Sequence, residues 1–263
     1  MLTALATACT SALPPTTPPP VPGGKPGHVL GYLKASEIPD SRTFLPPPPS
    51  PDSAAFNADA TTYRDTRTLR NTPRWTLAKQ DANLNFPEAA NTFSCALGLP
   101  ISATNTPHLN AILSRLRADI ALTTAKTKDH YKRQRPYLYY GEISCTPEEK
   151  HKNDSYPSSH AAIGWAWALV LAEIAPQRGD ALFKRGIAFG DSRVICGVHW
   201  QSDVNAGRQI GAAAIARLHA NDTFTTQMAL ARKEIERTQT ASTSASPDCA
   251  AETSALDAKP AKP

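Results

Sequence analysis

The most constraining feature of the sequence is a fifteen-residue apolar stretch, AAIGWAWALVLAEIA, at residues 161–175. Its length suits a helix of about four turns, and its apolar side chains face nearly every direction, so other elements must cover it on all sides. It contains Glu173 and is shorter than the roughly 20 residues that a membrane-spanning helix needs. Pro176 ends it, because proline cannot continue a helix. The stretch predicts a central buried helix in a soluble domain without a membrane span.

The rest of the chain is also patterned as helices. Apolar residues recur at spacings of three and four from Leu109 to Ile120, with Thr106 at the N-cap and Pro107 at the first helical position. This pattern predicts a long helix that runs toward Arg135. Further helices are predicted at 52–70, 73–83 and 87–97, and a last long helix carries the small-residue stripe Val204, Gly207, Gly211, Ile215 and Leu218. No alternating strand pattern or internal repeat occurs, so we expect an all-α fold with a single globular helical-bundle domain.

Both ends of the chain differ in composition from its middle. Thirteen of the 24 prolines lie in the first 51 residues, and the segment 1–27 can bury almost no apolar surface. The segment 237–263 has no aromatic residue and few aliphatic ones. We therefore expect a Pro-rich leader at 1–27, one folded domain at 28–236 and a disordered tail at 237–263.

The first nine residues, MLTALATAC, resemble the end of an export signal, with small residues before Cys9. They lack a basic start, so an ordinary disordered N-terminus and a lipid-modified Cys9 are alternatives. Export predicts a periplasmic or secreted protein, in which Cys95, Cys145 and Cys196 would supply one disulfide and leave one thiol. The sequence does not choose the pair. The five cysteines lack CxxC or Cys/His spacing, so no metal site is expected.

A first polar cluster, KDHYKRQRP, contains Lys128 and Arg135. Seven helical residues turn by about 700°, so these two cations lie within about 20° of each other on one helix face and can address the same anion. The alternative is a solvated basic helix end. Lys and Arg exceed Asp and Glu by only 28 − 23 = 5, and Asp129 interrupts the basic run. We therefore do not expect nucleic-acid binding.

A second cluster, SYPSSHAAIGWAW, stands where the apolar helix begins. The NH groups of Ser158, Ser159 and His160 should point out of the helix N-terminus, where an anion is favoured, and the Ser158 hydroxyl can add a donor. Simple helix capping by serine is the alternative. His160 has no evident structural task beside an apolar helix, which favours the functional interpretation.

A third cluster, SRVICGVHWQSD, carries Arg193, His199 and Asp203. On a helix, Asp203 would sit one turn from His199 and could fix the imidazole tautomer, leaving the other ring nitrogen as a nucleophile or base. A structural His/Asp pair is the alternative. Arg193 precedes His199 by six residues and would face elsewhere on a continuous helix. The two can converge only if the helix breaks, and Gly197 offers the place.

In order and spacing, the clusters resemble the signature of the type 2 phosphatidic acid phosphatase superfamily: KxxxxxxRP, then PSGH, then SRxxxxxHxxxD. More narrowly, the chain resembles the bacterial class A non-specific acid phosphatases over roughly residues 29–235. The segments that carry this closer likeness are YLKASEIPDSRTFLPPPP, LRNTPRW, DHYKRQRPYLYYG, SYPSSH, GWAWALVLAEIAPQR and SRVICGVHWQSDVNAGR.

The resemblance implies a metal-independent acid phosphatase that needs no cofactor and acts on small soluble phosphate monoesters. His199 would attack phosphorus and form a phosphohistidine, Asp203 would hold its ring, and His160 would protonate the leaving alcohol and then activate water. The implied phosphate ligands are Lys128, Arg135, Ser158, Ser159 through its NH, and Arg193. The family likeness also implies an acidic optimum, inhibition by inorganic phosphate or vanadate, transfer of phosphate to alcohol acceptors, and a homo-oligomer.

One position departs from that signature, because Ser159 stands where the family usually has glycine. Serine keeps the backbone NH, but its side chain could narrow the pocket. A phosphate-binding or weakly active member is therefore one alternative. A vanadate-dependent haloperoxidase, which has the same scaffold and holds vanadate where phosphate would sit, is another. A membrane lipid phosphatase uses the same three blocks but needs transmembrane helices that the sequence does not predict.

Overall fold

The computed structural model describes residues 13–25, 27–149, 152–241 and 249–260, and within these ranges it contains helices and no strand. The helices are α1 (Ala54–Thr66), α2 (Pro73–Gln80), α3 (Ser94–Leu97), α4 (Pro107–Tyr131), α5 (Pro136–Tyr139), α6 (Ser159–Ile174), α7 (Gly179–Ile195), α8 (Gln201–Leu218), α9 (Asp222–Ala241) and α10 (Cys249–Asp257). Short 3-10 helices lie at Ala35–Glu37, Ser41–Thr43, Arg67–Leu69, Glu88–Phe93 and Pro176–Arg178. The all-α prediction is confirmed.

Helix α6 forms the centre of the molecule, as its composition predicts. It packs against α4, α7, α8 and α9, and most of its residues are buried. Trp167 is fully buried and donates its indole NH to the Leu113 carbonyl oxygen of α4 at 2.9 Å. Nowhere in the described ranges does a helix combine the length and apolarity needed to cross a bilayer.

Helix α8 crosses α6 at very short distance along the predicted small-residue stripe. A Cβ atom built on Gly207 would lie 2.4 Å from the Ser158 carbonyl oxygen, and one built on Gly211 would lie 2.5 Å from the Ala162 carbonyl oxygen. Only glycine allows the two backbones to approach this closely. This contact brings the start of α8 beside the N-terminus of α6.

Helix α4 begins at Pro107 as predicted but ends at Tyr131, four residues before Arg135. Lys132 adopts the left-handed conformation, with φ 46°, and donates its NH to the Lys128 carbonyl oxygen at 2.9 Å. This is a common way for a helix to end, although lysine rather than glycine occupies the position. The expectation that Lys128 and Arg135 share one face of a continuous helix is therefore wrong.

The four cysteines in the described ranges form two disulfides, Cys95–Cys249 and Cys145–Cys196. The expectation of one bond and one free thiol within the domain is wrong, because Cys249 had been assigned to the disordered tail. Instead, α10 carries Cys249 and packs against α2. The expected disorder of 237–263 is thus wrong for residues 237–241, which belong to α9, and for the residues of α10. At the other end, Pro15 in the leader accepts a hydrogen bond from Gln227 at 3.1 Å, whereas Cys9 lies outside the described residues.

Candidate active site

The three polar clusters meet in one cavity of about 250 Å³ at the N-terminus of α6. The end of α4 and the connection between α7 and α8 form its other walls. Its lining residues are Leu84, Arg117, Ala121, Lys128, Arg135, Asp154, Ser159, His160, Ile163, Arg193 and His199. Six of the eight predicted site residues line the cavity, while Ser158 and Asp203 lie behind its wall.

A break between α7 and α8 places Arg193 and His199 together. Helix α7 ends at Ile195, Gly197 has φ +83°, and α8 begins at Gln201. The predicted break at Gly197 is therefore confirmed. His199 lies in the break rather than on a helix, so its pairing with Asp203 is not the helical one that the spacing suggested. Even so, His199 Nδ1 lies 3.4 Å from Asp203 Oδ2.

The neighbours of His199 determine its tautomer. Its Nε2 atom lies 3.1 Å from Nη1 of Arg135. A guanidinium can only donate, so Nε2 must accept this hydrogen bond and the ring proton resides on Nδ1, facing Asp203. The side chain is 2% exposed. This arrangement makes Nε2 the unprotonated ring nitrogen, and its lone pair, which accepts from Arg135 in the free protein, can attack phosphorus once Arg135 turns to bind the substrate.

Asp203 is a buried carboxylate with a full set of donors. Its Oδ1 accepts from Arg133 Nη1 at 2.6 Å, and its Oδ2 accepts from Ser155 Oγ at 2.5 Å and from the Trp200 NH at 2.9 Å. Arg133 also donates to Asp59 Oδ2 at 2.9 Å. These bonds compensate the cost of burying the charge and fix the carboxylate against His199.

Sequence reasoning missed these supporting residues. Arg133 was counted only as part of a basic run, and Asp59 lies in α1, 74 residues earlier in the chain. Their contacts with the Asp203 region arise from tertiary packing, which no local spacing reveals. The one local signal for these supporting residues is that Arg133 lies between Lys128 and Arg135, two predicted site residues.

Arg193 is the most exceptional cation in the cavity. It is fully buried, and in the described part of the chain its Nε and Nη1 atoms have no hydrogen-bond partner. Its nearest carboxylate oxygen, on Glu149, is 3.9 Å from Nη2. Burial lowers the pKa of Arg193 to about 10, so the group stays charged at neutral pH. Unpaired buried donors are costly, which indicates that an anion is their intended partner.

Lys128 and Arg135 converge on the cavity through the turn after α4. Lys128 Nζ donates to the Asp154 carbonyl oxygen at 2.5 Å. Burial, followed by the neighbouring Arg135 charge, lowers the pKa of Lys128 to about 7. Arg135 donates through Nε and Nη2 to Asp154 Oδ1, at 3.0 and 2.9 Å. Asp154 is a lining residue that sequence reasoning did not select.

The start of α6 differs in part from the prediction. Ser158 is the N-cap residue, and its Oγ accepts from the Ala161 NH at 3.3 Å. Its own NH donates to the Asp203 carbonyl oxygen at 3.0 Å, so that NH does not point into the cavity as expected. Ser159 Oγ lies 2.7 Å from Thr124 Oγ1 on α4. The hydroxyl that replaces the expected glycine is thus bound to α4.

His160 lies in the first turn of α6 and donates from Nε2 to the Ala82 carbonyl oxygen at 3.0 Å. Its ring stacks on Phe189, with 6.5 Å between ring centroids. Burial, followed by the Arg193 charge, holds the pKa of His160 well below its usual range. With Nε2 committed to a carbonyl, Nδ1 is the atom that can exchange a proton.

This arrangement of side chains can bind an anion and places two histidines beside it for nucleophilic or acid–base catalysis. Within the described ranges, no three His, Cys, Asp or Glu side chains group to hold a metal ion. Four cationic side chains, including Arg117, line the cavity with two histidines and the N-terminus of α6, and its volume suits a tetrahedral anion with a small substituent.

Comparison with known proteins gives consistent matches. A family model described as the PAP2 superfamily matches residues 108–225. The non-specific acid phosphatase of Providencia stuartii is 42% identical over 237 residues, which cover 89% of this chain and 94% of that protein. The non-specific acid phosphatase of Salmonella typhimurium is 40% identical over 208 residues, covering 78% of this chain and 83% of that protein. An acid phosphatase of Zymomonas mobilis is 37% identical over 204 residues, covering 76% and 77%.

Proposed function

The chain belongs to the PAP2 superfamily and, within it, to the non-specific acid phosphatases, which are phosphoric monoester hydrolases; from this premise we propose that it hydrolyses small phosphate monoesters through a phosphohistidine on His199. The observation that carries the proposal is the buried guanidinium of Arg193, whose Nε and Nη1 atoms have no hydrogen-bond partner in the described part of the chain, in the same cavity as Nε2 of His199. A phosphoryl oxygen would satisfy the guanidinium while the imidazole reaches phosphorus.

In the first step, His199 Nε2 attacks phosphorus and forms a P–N bond while the bond from phosphorus to the ester oxygen breaks. His160 gives its proton to the departing oxygen, so a neutral alcohol leaves. In the second step, His160 takes a proton from water, and the hydroxide attacks phosphorus as the P–N bond breaks. Orthophosphate leaves and both imidazoles return to their starting states. An alcohol in place of water would give phosphotransfer.

The cations provide the charge stabilisation that both steps need. Lys128, Arg135 and Arg193 would bind the equatorial oxygens as charge spreads over them, together with the Ser159 NH. This set supports our proposal that no metal ion takes part. Ser158 supports the site indirectly, because it caps α6 and binds the Asp203 backbone.

The Ser159 side chain gives no support to the alternative that the protein binds phosphate without hydrolysing it. Its hydroxyl is bound to Thr124, and its backbone NH lies in the first turn of α6, where such groups have no partner within the helix. We therefore propose an active enzyme. Two disulfides, which form in oxidising compartments, support a periplasmic or secreted location.

The proposal is tested with p-nitrophenyl phosphate across pH 4 to 9, with vanadate and a chelator added in parallel. We expect hydrolysis that is fastest at acidic pH, that vanadate inhibits and that the chelator leaves unchanged. His199→Ala should abolish it, whereas His130→Ala, at an exposed position of α4, should not. Loss of activity on chelation, or substantial turnover by His199→Ala, would overturn the mechanism.

A further inference from the structure

Asp154 holds an unusual position between the two cations of the first cluster. Its main-chain oxygen accepts from Lys128 Nζ, and its Oδ1 accepts from both Nε and Nη2 of Arg135. Arg135 is buried, with 6% of its side chain exposed, whereas 39% of the Asp154 side chain is exposed. The carboxylate therefore contacts the buried Arg135 guanidinium and is itself partly exposed, while lining the cavity.

Asp154 is also the only acidic residue among those that the structure places in the cavity lining. The other side chains that line the cavity are cationic, histidine, serine or apolar. The cavity volume of about 250 Å³ is below the roughly 300–1,000 Å³ usual for small-molecule pockets. When the phosphoryl group occupies the cations, the alcohol part of the ester must lie close to this carboxylate.

The charge of Asp154 already acts on groups inside the cavity. Burial and Arg135 lower the pKa of Lys128, and Asp154 opposes that effect by favouring the ammonium form. Charges separated by several ångströms in such a partly desolvated space interact strongly enough to change binding severalfold. A charge on the alcohol part of a substrate would therefore respond to Asp154 as Lys128 does.

We propose that Asp154 selects substrates by the charge of their alcohol part, favouring phosphate monoesters of neutral or cationic alcohols over those that carry a second anionic group. The inference rests on the proposed phosphatase function and names the substrate class of the same site. Asp154 acts on specificity and takes no part in bond breaking. Its contact with Arg135 affects all esters alike, so the selectivity must be measured as a ratio between substrates.

The test uses three two-carbon esters that differ mainly in charge: O-phosphoethanolamine, ethyl phosphate and phosphoglycolate. At pH 6, kcat/KM is measured for each with the wild type, Asp154→Asn and Asp129→Asn. Asp129 is an exposed neighbour of Lys128 that does not line the cavity, so its substitution removes one negative charge without altering the wall. Thermal unfolding of each variant establishes that it is folded, and Asp154→Ser replaces any Asp154→Asn protein that is not.

For Asp154→Asn, we expect the ratio of kcat/KM for phosphoethanolamine to that for phosphoglycolate to fall about tenfold, with ethyl phosphate still hydrolysed. Asp129→Asn should leave the ratio within twofold of the wild type. An unchanged ratio in Asp154→Asn would overturn the selectivity role, as would an equal fall in Asp129→Asn. If no ester is hydrolysed by the wild type, the proposed function fails instead, so the two failures are distinguishable.

Discussion

Lys128 and Arg193 are cations in the same cavity, but burial leaves them with different pKa values, about 7 and about 10. Arg193 therefore supplies a permanent charge, while the charge of Lys128 depends on pH near neutrality. His160 is the third titrating group, and its neutral form is favoured by burial. A bound phosphoryl group would raise the pKa of both Lys128 and His160, because an anion stabilises their charged forms.

Replacing Arg193 should lower the activity of the protein without lowering its stability. Arg193→Met removes donors aimed at phosphate and should lower kcat/KM for p-nitrophenyl phosphate by about 10²–10³-fold. Because the guanidinium has unpartnered buried atoms in the free protein, its loss should leave the free energy of unfolding unchanged or raise it. Steady-state kinetics and urea denaturation measure the two effects. A large loss of stability with little loss of activity would assign Arg193 a structural role.

The pH dependence of kcat/KM, which reports on the free enzyme, should fall in two steps as pH rises. The first lies below pH 6.5, where His160 loses its proton, and the second lies near pH 7, where Lys128 becomes neutral and binds phosphate more weakly. Lys128→Arg keeps its charge throughout this range, so it should remove the second step and preserve the first. Persistence of both steps in Lys128→Arg would contradict the assignment.

At the scale of elements, the site depends on two interruptions of helical structure. The turn after α4, with Lys132 in the left-handed region, directs Arg135 toward the cavity, and the break at Gly197 sets His199 beside it. The close crossing of α6 and α8 then holds Ser158 against the backbone of Asp203. Packing between elements, rather than either helix alone, aligns the three clusters.

The crossing of α6 and α8 can be tested at Gly207. A methyl group there would lie 2.4 Å from the Ser158 carbonyl oxygen, so Gly207→Ala must displace a backbone. We expect a loss of about 1–3 kcal/mol of unfolding free energy, together with a lower kcat. Gly179→Ala is the matched control, because its Cβ would meet only Phe183, at 3.7 Å. Equal stability of the two variants in urea would argue against a tight crossing.

At the scale of the whole molecule, the two disulfides have different positions relative to the site. Cys145–Cys196 joins the loop before α6 to the residue that follows α7, three positions before His199. Cys95–Cys249 ties α10 to α3 and lies in no wall of the candidate active site. One bond therefore lies beside the candidate active site, and the other restrains the C-terminal helix.

Removing each disulfide should therefore have different effects. In the chain-entropy model, loops of 51 and 154 residues correspond to about 4 and 5 kcal/mol of stabilisation. The double variant Cys95→Ser/Cys249→Ser should lower Tm but keep its kcat at temperatures where it remains folded. Cys145→Ser/Cys196→Ser should lower both. Thermal unfolding and assays at one low temperature measure these outcomes, and equal loss of kcat in both variants would contradict the distinction.

Much of this organisation could be predicted from the sequence, because it depends on local patterns. Apolar periodicity and proline positions predicted the central helix and the start of α4, and the resemblance of the three clusters to a family signature implied that Lys128, His160 and His199 share one site. The end of α4 was missed because nothing in the sequence marks Lys132 as left-handed. Asp154, Arg133 and the Cys95–Cys249 bond were missed because they depend on contacts between distant or irregular segments.

The central claim is that His199 carries the phosphoryl group between the two steps. Rapid mixing of the protein with radiolabelled p-nitrophenyl phosphate, followed by an alkaline quench that preserves a P–N bond, tests it directly. His160→Ala serves as a second sample, since p-nitrophenolate leaves without an acid while water activation is slowed. We predict label on the peptide that contains His199, in both proteins, and none in His199→Ala. Continued turnover with no label on His199, or label on another residue, would contradict the account.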